Sequence, residues 1–337
     1  MVSYMPQLND KQSEKTLLSS AFIIRRHRVW FLSLIFLAGL VLFVTHLSEL
    51  EHFAQLVRQA KPLWLIVGFF LQLITYFSVA AVWHQTLRYA GVRYSILSLV
   101  PLGIAKLFSD QALPTGGVSG TVFLVASLNR RGISKPLCMA ILLVSLVAYY
   151  TAYLLAALAS IALLWFYHDL HVWIVAVTAV FCVIAVAIPS CALWLRRRGK
   201  QPLPGILMRI PGLAGLLNTF GDAPGYLLQS SGLFIKTTLL QGTILLLDAY
   251  TLNVMLYAIG QDASILVVFP CFIVASMVAT LGPVPLGLGT FEATCVAMLS
   301  VLGAKVEVAL MATLLLRGFT LWLPMIPGLW LAKRELH

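Results

Sequence analysis

Long apolar runs separated by short clusters of charge set the frame of this chain. The runs at 29–47, 63–87, 137–166, 171–195, 233–258 and 306–331 approach or exceed the roughly 20 residues that an α-helix needs to cross a bilayer. Each predicts a transmembrane span. Two further apolar stretches are interrupted, by LPTGGVSG at 113–120 and by GPVPLGLG at 282–289. Irregular backbone at bilayer depth survives only where protein or a water-filled cavity satisfies its N–H and C=O groups. The arms on either side of the breaks, 95–109 with 120–129 and 264–281 with 291–303, are mostly too short for a full crossing. They predict two re-entrant helical hairpins, 94–130 and 263–304; an eight-span arrangement with the same parity is the alternative.

Composition makes the class definite. Of 337 residues 60% are hydrophobic and 10% charged, with a mean hydropathy of +0.94, a balance that belongs to an integral membrane protein. No small-residue cleavage site follows the polar, basic first 28 residues, so the first apolar run reads as a retained span rather than a signal peptide. The cysteines Cys138, Cys182, Cys191, Cys271 and Cys295 have neither C-x-x-C nor metal-ligand spacing and read as small buried residues. Neither metal nor cofactor is expected. The net charge of +11 comes without a basic and aromatic module, which excludes nucleic acid as a partner.

The distribution of that charge predicts orientation instead. Lys11, Lys15, Arg25, Arg26, Arg28, Arg88, Arg93, Arg130, Arg131, Lys135, Arg196, Arg197, Arg198, Lys200, Arg209, Lys333 and Arg334 fall on one side, 17 of the 23 basic residues, against Arg58, Lys61 and Lys305 on the other. By the positive-inside rule the first side is cytoplasmic, and so are both termini. Hairpin 1 then opens to the cytoplasm and hairpin 2 to the outside. The fold expected is an all-α polytopic membrane protein, six full spans plus two re-entrant hairpins in an inverted 3+3-type repeat. Residues 1–28 form a cytoplasmic tail, and 29–195 the first membrane repeat with the first span of the second. A cytoplasmic connector follows at 196–232, and 233–332 completes the second repeat. The connector is rich in proline and glycine and reads as an interfacial amphipathic segment or a solvated linker.

Candidate chemistry sits in the charges at depth. Lys106 lies about 18 Å along a helix from Tyr94 and Asp110 one turn further; Asp248 is midway along span 5, Arg317 midway along span 6, and Glu292 follows the second break. A charge in mid-bilayer costs roughly 2.5–3.5 kcal/mol on insertion scales, so these five should face the interior and pair. With three carboxylates and two cations, one carboxylate is in excess. The hairpin tips, Pro114, Gly116, Gly117, Ser119 and Gly120 in one and Pro283, Pro285, Gly287, Gly289 and Thr290 in the other, would bring helix N-termini toward the midplane. Such N-termini suit a phosphate or carboxylate. No Ser/His/Asp or Cys/His nucleophile arrangement is present, so a transporter is expected rather than an enzyme.

FSDQALPTGGVSGTVFLVASLNRRGIS at 108–134 and GPVPLGLGTFEATCVAMLSVLGAKVEVALMATLLLRGFTLWLPMIPG at 282–328 resemble the flippase-like transmembrane region of the lysylphosphatidylglycerol synthases, which includes the bacterial multiple peptide resistance factor. The resemblance extends from about residue 20 to the end. It implies a lipid translocase with Glu292 and Arg317 at its functional acidic and basic positions. Many members carry an acid where this chain has Ser119 and a base where it has Ala126. The aminoacyltransferase domain of the synthases is not expected here, which makes this a stand-alone member of the bacterial cytoplasmic membrane. Its expected partner is a membrane lipid, an anionic phospholipid or a polyprenyl-phosphate-linked lipid. A membrane enzyme acting on a lipid-linked substrate and a non-transporting partner of a lipid-synthesis enzyme are the alternatives.

Overall fold

The computed structural model describes residues 58, 60–112, 118–167, 171–198, 223–282 and 287–336. The expected span at 29–47, the N-terminal tail and most of the connector lie outside them. The described elements are α1 (Pro62–Tyr89), α2 (Ile96–Ala112), α3 (Val118–Arg130), α4 (Lys135–Tyr167), α5 (Val172–Arg198), α6 (Gly225–Gln229), α7 (Ser231–Ala258), α8 (Ile265–Leu281), α9 (Thr290–Val301), α10 (Val306–Arg317), a π-helical turn (Gly318–Trp322) and α11 (Leu323–Leu336). Among the described residues five segments are long and apolar enough to cross a bilayer: Pro62–Tyr89, Lys135–Phe166, Val172–Arg197, Ser231–Ala258 and Val306–Glu335. These are the expected spans 2 to 6. The all-helical, multi-pass class follows.

Helices α1 and α7 pack against each other along much of their length. Pro62 opens α1, where a missing N–H is harmless because first-turn donors have no partner within the helix. The Lys61 N–H donates to the Ala258 carbonyl at 2.8 Å, Trp64 stacks on Tyr257 with centroids 5.0 Å apart, and Gln72 reaches Asp248 and Thr251. Numbers rise in one helix as they fall in the other, so the pair is antiparallel. Gly68 faces α7, where a Cβ would sit 2.5 Å from the Met255 methyl and would make that side chain shift.

The interrupted segments form two matching pairs of short helices. First arms α2 and α8 are each 17 residues long, and each carries a proline at its sixth position, Pro101 and Pro270. Second arms α3 and α9 have 13 and 12 residues. Arm α2 packs on α1 and α11, and α8 on α7 and α4; α3 packs on α2 and α4, and α9 on α8 and α10; α1 meets α4 as α7 meets α10. Exchanging α1–α4 with α7–α11 turns each of these pairings into another of the set.

The two hairpins open at opposite ends of the bundle. At one end Arg131, just past α3, donates to the Ser98 carbonyl at 2.8 Å, to the Tyr94 hydroxyl at 3.4 Å, and to Glu335 near the end of α11. Burial opposes the charge of Arg131, but its bonds to Glu335 and Tyr94 outweigh burial and hold its pKa above the ordinary value. At the other end a cavity of about 210 Å³ is lined by Leu256, Asp262, Val267, Leu299 and Ala304 among others, bringing both ends of α8–α9 to the level of the Lys61–Ala258 bond.

Candidate functional site

Each hairpin tip is built around a carboxylate that meets a helix N-terminus and a cation. In hairpin 1, Lys106 and Asp110 stand one turn apart on α2, with Nζ 2.6 Å from Oδ2. The other oxygen, Oδ1, accepts from the Gly120 N–H at 2.8 Å, and the Ser119 hydroxyl donates to the Ser109 carbonyl at 2.7 Å. Asp110 therefore supplies from the first arm the capping acceptor that the N-terminus of the second needs. Glycine at 120 leaves room for this bond, since a Cβ there would fall on the Asp110 carboxylate and push it aside.

In hairpin 2 the acid comes from the second arm. Glu292, in the first turn of α9, accepts from the Gly289 N–H at 2.6 Å, half of a capping box. Arg317 donates through Nε to Glu292 Oε1 and through Nη2 to the Gly287 carbonyl at 3.2 Å, and its guanidinium lies 4.4 Å from the centre of the Phe291 ring. The Thr290 hydroxyl also bonds the Gly287 carbonyl, at 3.0 Å. Gly287 and Gly289 have φ of 63° and 79°, a region open to glycine and strained for other residues. The Glu292 and Arg317 side chains retain only 14% and 12% of their exposure. Arg317 ends α10 directly before the π-helical turn, a distortion often associated with functional positions.

Asp248 stands apart from both pairs. Its Oδ1 accepts from the Gln72 amide at 3.2 Å, and the same amide donates to Thr251 Oγ1 at 3.2 Å. Tyr149 and Tyr153 of α4 lie close enough to feel its charge and reach toward Thr280 and Ser276 of α8. The five charges thus form three groups, Lys106–Asp110, Glu292–Arg317 and Asp248–Gln72, and the carboxylate in excess is Asp248. Pro114, Gly116, Gly117, Pro283 and Pro285 lie outside the described residues.

Two features go beyond the sequence reading. Both N-termini, expected to offer N–H groups to a ligand, already face carboxylates of the chain itself. Gln72, the partner of Asp248, is a buried amide in an apolar helix, and that isolation was the signal available for finding it. The hairpin-1 geometry makes a direct prediction. Gly120→Ala will destabilise the protein by about 1–3 kcal/mol through overpacking against Asp110, whereas Gly242→Ala, where the added methyl meets open space, will be neutral or stabilising. Thermal unfolding of the two variants checks this.

The sequence was also compared with known proteins. No curated protein matches it significantly. The family model described as "Lysylphosphatidylglycerol synthase TM region" matches residues 30–328, taking in both hairpins, Asp248, Glu292 and Arg317. The chain therefore belongs to the lysylphosphatidylglycerol synthase transmembrane-region family.

Proposed function

We propose that this protein is a lipid translocase that moves an anionic phospholipid or a lipid-linked headgroup across the bacterial cytoplasmic membrane. The observation that carries the reading is the paired tip: two hairpins opening at opposite ends, each with a helix N-terminus held by a carboxylate that a cation also holds. A phosphate resembles the carboxylate in charge and acceptor geometry, so a headgroup can exchange for Asp110 or Glu292 at the N–H groups. Lys106 or Arg317 neutralises the arriving charge. The acyl chains remain in the bilayer.

The membrane arrangement belongs to the same proposal: six full spans, two re-entrant hairpins and cytoplasmic termini. Arms of 17 and 13 residues, and of 17 and 12, extend about 25, 20 and 18 Å, short of a hydrocarbon core of roughly 30 Å. The exchangeable packing pairs and the antiparallel α1–α7 contact support the inverted repeat. Within it Lys106, Asp110, Asp248, Glu292 and Arg317 line the path, and the glycines shape the tips.

Cysteine-accessibility mapping tests path and topology together. Cysteines placed at 262 and 303 will react with an impermeant reagent in intact cells, and those at 93, 134 and 198 only after permeabilisation. Cysteines at 119 and 288, beside the tips, will react with a small hydrophilic thiol reagent and will be protected by an anionic phospholipid. Labelling at 198 in intact cells contradicts the orientation. Tips that no hydrophilic reagent reaches contradict the path.

A second reading is favoured by the mutual satisfaction of the four paired charges, which would serve equally to clamp hairpins to spans in a non-transporting partner of a lipid-synthesis enzyme. Under it, neutralising a pair changes stability and leaves lipid distribution unchanged.

A further inference from the structure

Away from the hairpin tips, a cavity of about 650 Å³ lies where α1 turns into α2, lined by His84, Arg88, Gly91, Val92, Arg93, Tyr94 and Ser95. The turn is fixed by local hydrogen bonds. Gly91 adopts φ of 78°, its N–H donates to the Arg88 carbonyl at 3.1 Å, and the Val92 N–H donates to the Leu87 carbonyl at 3.0 Å. This is a Schellman closure of α1, and glycine permits its left-handed residue. Arg88 and Arg93 are carried on either side of that rigid turn. The far wall is also anchored, since the Tyr94 hydroxyl accepts from Arg131, whose remaining capacity is engaged by Glu335 and the Ser98 carbonyl.

The described lining contains two guanidinium groups, one imidazole and no carboxylate. Arg88 and Arg93 are exposed, and neither forms an ion pair with a described residue. His84 completes this part of the lining, with its Nδ1 turned away from solvent and without a hydrogen-bond partner among the described residues. The volume is in the range of small-ligand sites. The depth also fits: α1 has 28 residues, about 42 Å of helix, so its last turn reaches the headgroup layer beyond a hydrocarbon core of roughly 30 Å. Arg131 and Arg196 lie at this same end of the bundle, the end that the charge distribution makes cytoplasmic.

We infer that the α1–α2 turn is a binding site for the phosphate of an anionic phospholipid in the cytoplasmic leaflet, held by Arg88, Arg93 and His84. Two guanidinium groups without an opposing acid favour a headgroup of net negative charge over a zwitterionic one. Acyl chains would lie along the lipid-facing side of α1, where Phe70, Ile74 and Phe77 are exposed. The site does not depend on translocation.

Native mass spectrometry of the full chain in detergent, titrated with dioleoyl phosphatidic acid or dioleoyl phosphatidylcholine, tests the assignment. The double variant Arg88→Ala/Arg93→Ala will lose affinity for the phosphatidic acid by roughly five-fold for each guanidinium removed, about 25-fold in all, and will bind phosphatidylcholine as before. Arg88→Lys/Arg93→Lys, which keeps the charge and the fold, will retain most of the affinity. In an Arg317→Ala background, with the proposed path broken, the loss on removing Arg88 and Arg93 will persist; failure of the transport reading therefore leaves this one readable. Equal phosphatidic acid binding by the wild type and a double alanine variant with unchanged thermal unfolding would overturn the site. Displacement of the lipid by millimolar inorganic phosphate would overturn its assignment to lipid and identify a free-phosphate site.

Discussion

Arg317→Ala will abolish transport and lower stability by about 3–5 kcal/mol, the cost of breaking a buried ion pair from one side. The guanidinium joins three parts of hairpin 2: the Glu292 carboxylate, the Gly287 carbonyl and the Phe291 ring. Its removal leaves Glu292 as an uncompensated buried carboxylate with only the Gly289 N–H among these bonds. Glu292→Gln keeps an acceptor for that N–H and removes the charge, so it will lose less stability while still slowing transport. The double variant will regain part of the stability lost in Arg317→Ala and none of the transport. Thermal unfolding and flux measured on the same three preparations separate the roles. Full activity in Arg317→Ala would remove the residue from the mechanism.

Asp110→Ala will be comparably severe, through two separable losses. The Gly120 N–H loses its capping acceptor, worth about 1 kcal/mol, and Lys106 is left as an unpaired cation at depth, at roughly 2.5–3.5 kcal/mol on insertion scales. Adding Lys106→Met will recover most of the second loss and none of the first. Asp110→Asn, which retains a carbonyl oxygen for Gly120, will show the reverse pattern. If Asp110→Ala and Asp110→Asn unfold at the same temperature, the cross-hairpin cap contributes nothing measurable.

The spans were legible because each requires a long apolar run, and bounding charges fix its ends. Spans 2 to 6 lie within a few residues of the runs that predicted them. The short arms were legible for a related reason: clustered glycine and proline disfavour helix, so the dense breaks at 113–120 and 282–289 delimit α2, α3, α8 and α9 to within a few residues. The matching prolines at 101 and 270 become informative only once both arms have a defined start.

Partners across the fold were harder to read. Lys106 and Asp110, four residues apart on a helix, are visible as a pair, but the Asp110–Gly120 bond spans a turn whose path the sequence does not determine. Gln72 and Asp248 are 176 residues apart, and Arg131 and Glu335 are 204 apart. Nothing in local periodicity brings them together. The cost of burying charge marks the deep charges as groups that need partners, while the groups that offset that cost emerge only from packing.

The most direct test of the central claim is translocation by purified protein. Proteoliposomes loaded asymmetrically with a labelled anionic phospholipid, or with a polyprenyl-phosphate carrier, will equilibrate the label faster than empty vesicles, and Glu292→Gln and Asp110→Asn will slow the exchange. Folded protein that moves no member of a broad lipid panel, with or without a proton gradient, would contradict the translocase account and favour the structural partner.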